Sequence, residues 1–134
     1  MFHYYRSPGA LSHRAPPRTA FVATIPAGIT AAHSLLKAVG EALAFPPYYG
    51  ANFDALWDCL RTLETIAARR VFLVHEDLPS LPRESLETYV EIVRDAGAFW
   101  QKNRDRHVFE VWFPVAERRT IEQLLETLPP STDE

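Results

Sequence analysis

The sequence predicts an α/β fold in which a small three-stranded parallel sheet is packed with helices, with one further helix at the C-terminal end. Two observations carry this. Short apolar runs alternate with amphipathic stretches of helical spacing, the pattern of strand–helix–strand units. One run, Arg70-Val-Phe-Leu-Val-His75, is apolar without alternation, which suits a central strand covered on both faces. The 134 residues fit one domain, and 47% hydrophobic with 23% charged residues is a globular balance.

The elements follow in chain order. Residues 1–17 carry three prolines and no periodicity, and read as an irregular N-terminal arm. Thr19 to Ile25 is rich in β-branched and aromatic residues and reads as a strand, ended by Pro26 and Gly28. Thr30 is the expected N-cap of a helix reaching about Leu43, with Ile29, Leu35, Leu36, Val39 and Leu43 inward. Pro46-Pro47 stops that helix, because proline lacks a donor and restrains the residue before it. After the loop Tyr48-Tyr-Gly-Ala51, Asn52 is expected to cap a helix from Phe53 to about Leu63. Its buried stripe is Phe53, Leu56, Trp57, Leu60 and Leu63.

The apolar strand Arg70–His75 follows, then a turn marked by Pro79 and Pro82. A long helix, roughly Arg83 to Lys102, turns Leu86, Tyr89, Val90, Val93 and Ala96 inward. His107 to Phe113 is the last predicted strand, and Glu117 to Leu128 the final helix, with Ile121, Leu124, Leu125 and Leu128 on one side. Both later strands are apolar on both faces, so something must cover the second face of the sheet. The final helix is the expected cover, helped by the aromatic Phe2-His3-Tyr4-Tyr5 and remote from the Tyr48–Asp58 surface. A dimer through the bare face is the rival; a monomer is expected.

Composition removes several function classes. A net charge of −3 gives no global bias toward nucleic acid, so no direct nucleic-acid contact is expected. The single cysteine, Cys59, cannot form an internal disulfide, which favours a reducing compartment. The N-terminus has no apolar core of a signal peptide, and no run approaches about 18 apolar residues, so a cytoplasmic protein with no membrane span is expected. The five histidines are scattered, so no metal motif emerges, and no cofactor is expected. An enzyme would need a pair such as Cys59 with His75 or His107, but Cys59 falls on the flank of a buried stripe. No nucleophile–base–orienter set can be assembled, so no catalytic residue is assigned.

The informative stretch runs from Tyr48 to Leu60. Asp54 and Asp58 are four residues apart and share one helix face, with Phe53 and Trp57 beside them. Asp54 lies in the first turn, where the helix dipole favours negative charge; Asp58 gains little from it. From helix geometry alone the two acids read first as a solvated face, Trp57 as core and Gly50 as a turn residue needing positive φ. Glu84, Glu87, Glu91 and Asp95 draw an acidic stripe along the long helix, diluted in part by Arg83 and Arg94.

The gapless run Tyr48-Tyr49-Gly50-x-Asn52-x-Asp54-Ala55-Leu56-Trp57-Asp58-Cys59-Leu60 resembles the signature of the barstar family of ribonuclease inhibitors. The resemblance implies a barstar-like domain over 18–114, leaving the arm before it and the helix and tail of 115–134 outside. It implies that the loop and helix enter the basic active-site cleft of a small secreted, guanyl-specific (barnase-type) ribonuclease. Asp58 would then stand for a substrate phosphate, and Asp54 would reach the same basic wall. Tyr48 would stack at the rim, Trp57 would pack beside the acids, and Tyr49, Gly50 and Asn52 complete the loop. Asp95 would supply an acid from the long helix. Ala51, Asp95 and Arg61 depart from the family pattern; Arg61, three residues after Asp58, either pairs with it or confronts a basic target. The alternative is a domain of the same fold acting as an interaction or immunity module against a target that is not a ribonuclease.

Overall fold

The computed structural model of the chain describes residues 2–6 and 20–131. Its elements are β1 (Phe2–Tyr5), β2 (Ala20–Ile25), α1 (Ala32–Ala42), α2 (Phe53–Leu60), β3 (Arg70–His75), α3 (Arg83–Gln101), β4 (Val108–Pro114), a single 3₁₀ turn (Val115–Glu117) and α4 (Arg118–Thr127). The strands form one parallel sheet in the order β1-β4-β3-β2, with Ala23 opposite Leu73, Leu73 opposite Val111 and Phe2 opposite Val111. The α/β class and parallel sheet match expectation. The strand count does not: the sheet has four strands, because Phe2–Tyr5 pairs with β4 instead of belonging to an irregular arm. Four residues with bulky groups on both faces show no period, so only the open edge of β4 could reveal this strand. Residues 7–17 of the expected arm and 132–134 of the expected tail lie outside the described residues.

Side-chain alternation divides the apolar residues between two layers. Val71 and Leu73 of β3, with Phe109, Val111 and Phe113 of β4, join Leu35, Val39, Leu56, Leu60, Tyr89, Val93 and Trp100 in the main core. Phe72, Val74, Trp112 and Tyr5 cluster on the opposite face. The final helix was expected to cover that second face. Instead Ile121 and Leu124 of α4 belong to the main core, together with Phe2. The 3₁₀ turn after Pro114 carries the chain onto the helical side, where Arg118 lies 5.2 Å above the Tyr4 ring. The aromatic strand does contribute to the second face: His3 stacks on Trp112 with ring centroids 4.8 Å apart.

Helix ends depart from expectation in small ways with local causes. The chain enters α1 one residue late: Ala31 is the extended N-cap position (φ −129°, ψ 142°), and no side chain caps it, so Thr30 is not the cap. Helix α2 ends at Leu60 because Leu63 turns left-handed (φ 42°). Leu63 is still buried, as expected.

A polar network crosses the core between β3, β4 and α3. His75 is fully buried, and Nδ1 faces the Trp112 carbonyl oxygen at 3.0 Å, so Nδ1 carries the proton and donates. Nε2 therefore accepts from the Tyr89 hydroxyl at 2.6 Å, and burial keeps that hydroxyl protonated. The ring stacks on Phe113 at 4.1 Å, and Tyr5 donates to the His75 carbonyl at 2.6 Å. Burial lowers the imidazole pKa to about 4, against the weaker raising effect of the Trp112 hydrogen bond.

The folded pKa lies below that of the unfolded chain, about 6.5. The unfolded chain therefore takes up a proton that the folded one refuses, so stability present above pH 6.5 is lost as pH falls toward 4. The expected loss between pH 7.5 and pH 5 is about 2 kcal/mol, which precedes most carboxylate titration. Urea midpoints at the two values measure it. A His75→Gln chain with the same slope would assign the effect to another group.

Candidate functional site

The site is built on the junction between α1 and α2. Pro46 and Tyr49 close a turn, with the Tyr49 amide donating to the Pro46 carbonyl at 2.9 Å. The Tyr49 ring lies on α1 at Gly40, where any Cβ would come within 2.6 Å of it. Its hydroxyl donates to the Leu36 carbonyl at 2.8 Å, and burial pushes the phenol up to about 12. Tyr49 thus fastens the loop to α1. Tyr48 does the opposite: it is 73% exposed, and its hydroxyl donates to Glu64, which holds the phenol above its ordinary value.

The left-handed residue of the loop is Ala51 (φ 52°), not Gly50 as expected. Gly50 leaves room instead: a Cβ there would lie 3.1 Å from Asn52 Nδ2, so the amide would have to give way by a few tenths of an ångström. That room lets Asn52 act as the cap: its Oδ1 accepts from the Ala55 amide at 2.8 Å. Helix α2 therefore starts at a fixed angle, with Leu56, Cys59 and Leu60 buried beneath it.

Its outer face carries Asp54 and Asp58, both exposed, with Trp57 half-buried beside them and packed against the edge of the core. Across a hollow of about 210 Å³, α3 contributes Glu91, Ile92 and Asp95, facing Phe53, Asp54 and Trp57. The structure thus brings Asp54, Trp57 and Asp95 to one place, with Asp58 and Tyr48 on the adjoining surface. Phe53 beside the acids was expected; Ile92 as the facing apolar wall was not, although its three-residue spacing from Asp95 puts the two on one side of α3.

Charge at the site is more balanced than the acidic stripe suggested. Asp95 has only 13% of its side chain exposed, and Arg94 Nε and Nη2 both converge on its Oδ1, at 3.0 and 2.9 Å. Arg94 also lies 4.0 Å from Glu91, and Arg83 pairs with Glu87 at 3.0 Å. Arg94 also lines a second hollow with Phe2, Tyr4, Arg118 and Leu125, so the two terminal extensions share a hollow with the partner of Asp95. Just past the end of α2, Arg61 Nη2 donates to Asp58 Oδ1 at 2.9 Å while its guanidinium sits 4.8 Å over the Trp57 ring. Glu64 and Arg94, both partners of site residues, were missed. The three-residue spacing of Glu91 and Arg94 was a signal for the second; nothing local links Glu64 to Tyr48.

The groups considered for catalysis are arranged otherwise. The Cys59 thiol is buried, and burial, then Asp58 and Glu64, push it up, the opposite of a poised nucleophile. Both ring nitrogens of His75 are engaged in the core. Among the described residues no group of three or more His, Cys, Asp or Glu side chains is arranged to hold a metal ion, and no helix is long and apolar enough to cross a membrane. A protein-family model described as "Barstar (barnase inhibitor)" matches residues 20–113.

Proposed function

Because the chain belongs to the barstar family, we propose that it inhibits a small secreted guanyl-specific ribonuclease inside the cell, by filling the enzyme's active-site cleft with the Tyr48–Asp58 loop and helix. The observation that carries this is the outer face of α2, where Asp54 and Asp58 stand exposed and Asp54 and Trp57 line a hollow opposite Asp95. A cleft that holds a phosphodiester is lined by cations, and carboxylates on a rigid helix satisfy those cations with charge-assisted hydrogen bonds. The cap at Asn52, the Tyr49 anchor and the buried Leu56 and Leu60 hold that face in place before binding, so little conformational entropy is lost on association.

Roles divide accordingly. Tyr48, Asp54, Trp57, Asp58 and Asp95 touch the enzyme, while Tyr49, Gly50 and Asn52 shape the loop that presents them. Micromolar excess of the purified chain should abolish RNA cleavage by a barnase-type ribonuclease, and added RNA should restore it by competition. Full cleavage in the presence of excess chain would point instead to a module with another target, the reading that the Asp58–Arg61 pair favours.

A further inference from the structure

Arg61 sits where a purely anionic surface would serve a cationic cleft best. Its Nη2 donates to Asp58 Oδ1 at 2.9 Å, and its guanidinium packs 4.8 Å from the Trp57 ring centre. Its Nε is buried and has no hydrogen-bond partner. Asp58 is 70% exposed, whereas Arg61 is 40% exposed, so the cation lies lower, braced against the helix by the aromatic ring. A guanidinium held by an ion pair and a cation–π contact does not leave its place without losing both.

Resting on the inhibitor reading above, we propose that Arg61 is a specificity-determining residue. It discriminates against clefts that are cationic throughout and selects a ribonuclease whose rim carries a carboxylate opposite the C-terminal end of α2. The physical reason is that Asp58 and Arg61 enter the interface as a unit. Desolvated beside enzyme arginines and lysines, the guanidinium meets like charges at close range, a repulsion that changes an equilibrium by about a hundredfold before screening. A carboxylate on the enzyme converts the same contact into a charge-assisted pair with the exposed edge of the guanidinium.

The test uses barnase as the probe, because its cleft belongs to the class the family inhibits. Arg61→Gln and Arg61→Met keep an unbranched side chain at this position and remove the charge, and urea midpoints check that both fold. Each should bind barnase about tenfold or more tightly than the parent chain does. In a second arm, each rim Lys or Arg of barnase is changed to Glu in turn. At least one change should tighten binding of the parent chain while weakening that of Arg61→Gln. Unchanged or weaker binding by both Arg61 variants overturns the proposal, by showing that the cation is neutral or helps to hold Asp58. If Asp58→Ala abolishes binding in that same series, the inhibitor reading survives the loss. No complex from any of these chains overturns both.

Discussion

Replacing Asp58 with alanine should weaken the proposed ribonuclease complex by about 3–5 kcal/mol, the cost of leaving buried cations without their counter-charge. Two features make the loss large. Asp58 is the more exposed member of its ion pair, so its carboxylate is the group a cleft meets first. In the proposed complex its removal would also leave the Arg61 guanidinium bare against the enzyme's own cations. The combined variant Asp58→Ala/Arg61→Gln should therefore recover part of the lost affinity, a coupling that a double-mutant cycle measures directly. Folding should change little: an exposed ion pair contributes about 0.2–1 kcal/mol, and the repulsion from Asp54 that disappears with it is of similar size. Association of the parent chain should slow with added salt, since exposed charges are screened beyond about 10 Å at 0.1 M. A dissociation constant unmoved by Asp58→Ala would remove this residue from the interface and the phosphate-mimic role with it.

Trp100→Ala should cost about 3–5 kcal/mol of stability, a large share of the 5–15 kcal/mol typical of a domain. Trp100 is 1% exposed, and it joins the two helices that carry the acids. Its Nε1 donates to the carbonyl of Leu60, the last residue of α2, at 2.7 Å. Phe99 and His107 meet its ring edge-on, each 5.0 Å away, and Arg106 lies 5.8 Å above it. Truncation leaves a cavity and an unsatisfied carbonyl at the end of α2. Trp100→Phe fills most of the cavity but still orphans the carbonyl, and should cost about 1–3 kcal/mol. Urea unfolding of both variants separates packing from the hydrogen bond. Equal losses would assign the whole effect to the Leu60 carbonyl, and no loss in the phenylalanine variant would assign it to the cavity.

The sequence was most legible where one physical signal acted alone. Asn52 is a cap because its side-chain oxygen reaches an orphan amide three residues on, a purely local geometry. The β3 span Arg70–His75 was read without error, because a continuous apolar run bounded by charge has few other uses. The buried stripes of α1 and α3 followed from period alone. Gly50 was misread because flexibility and space call for the same residue: the loop places its left-handed conformation on Ala51 and uses the glycine for closeness to Asn52.

What the sequence by itself determined is the α/β alternation, most of the inward residues of α1 and α3, and the placing of Asp54, Trp57 and Asp58 on one turn of helix. These follow from bonds and spacings between near neighbours. Only the tertiary structure decided the fourth strand, the side of the sheet taken by α4, the separate duties of Tyr48 and Tyr49, and the pairing of Asp95 with Arg94 under cover. Each of those depends on which surface is left open by another element: the free edge of β4, the gap beside α3, the bare patch of α1 at Gly40. A chain read one residue after another carries no record of such openings, because they exist only when segments distant in sequence have packed.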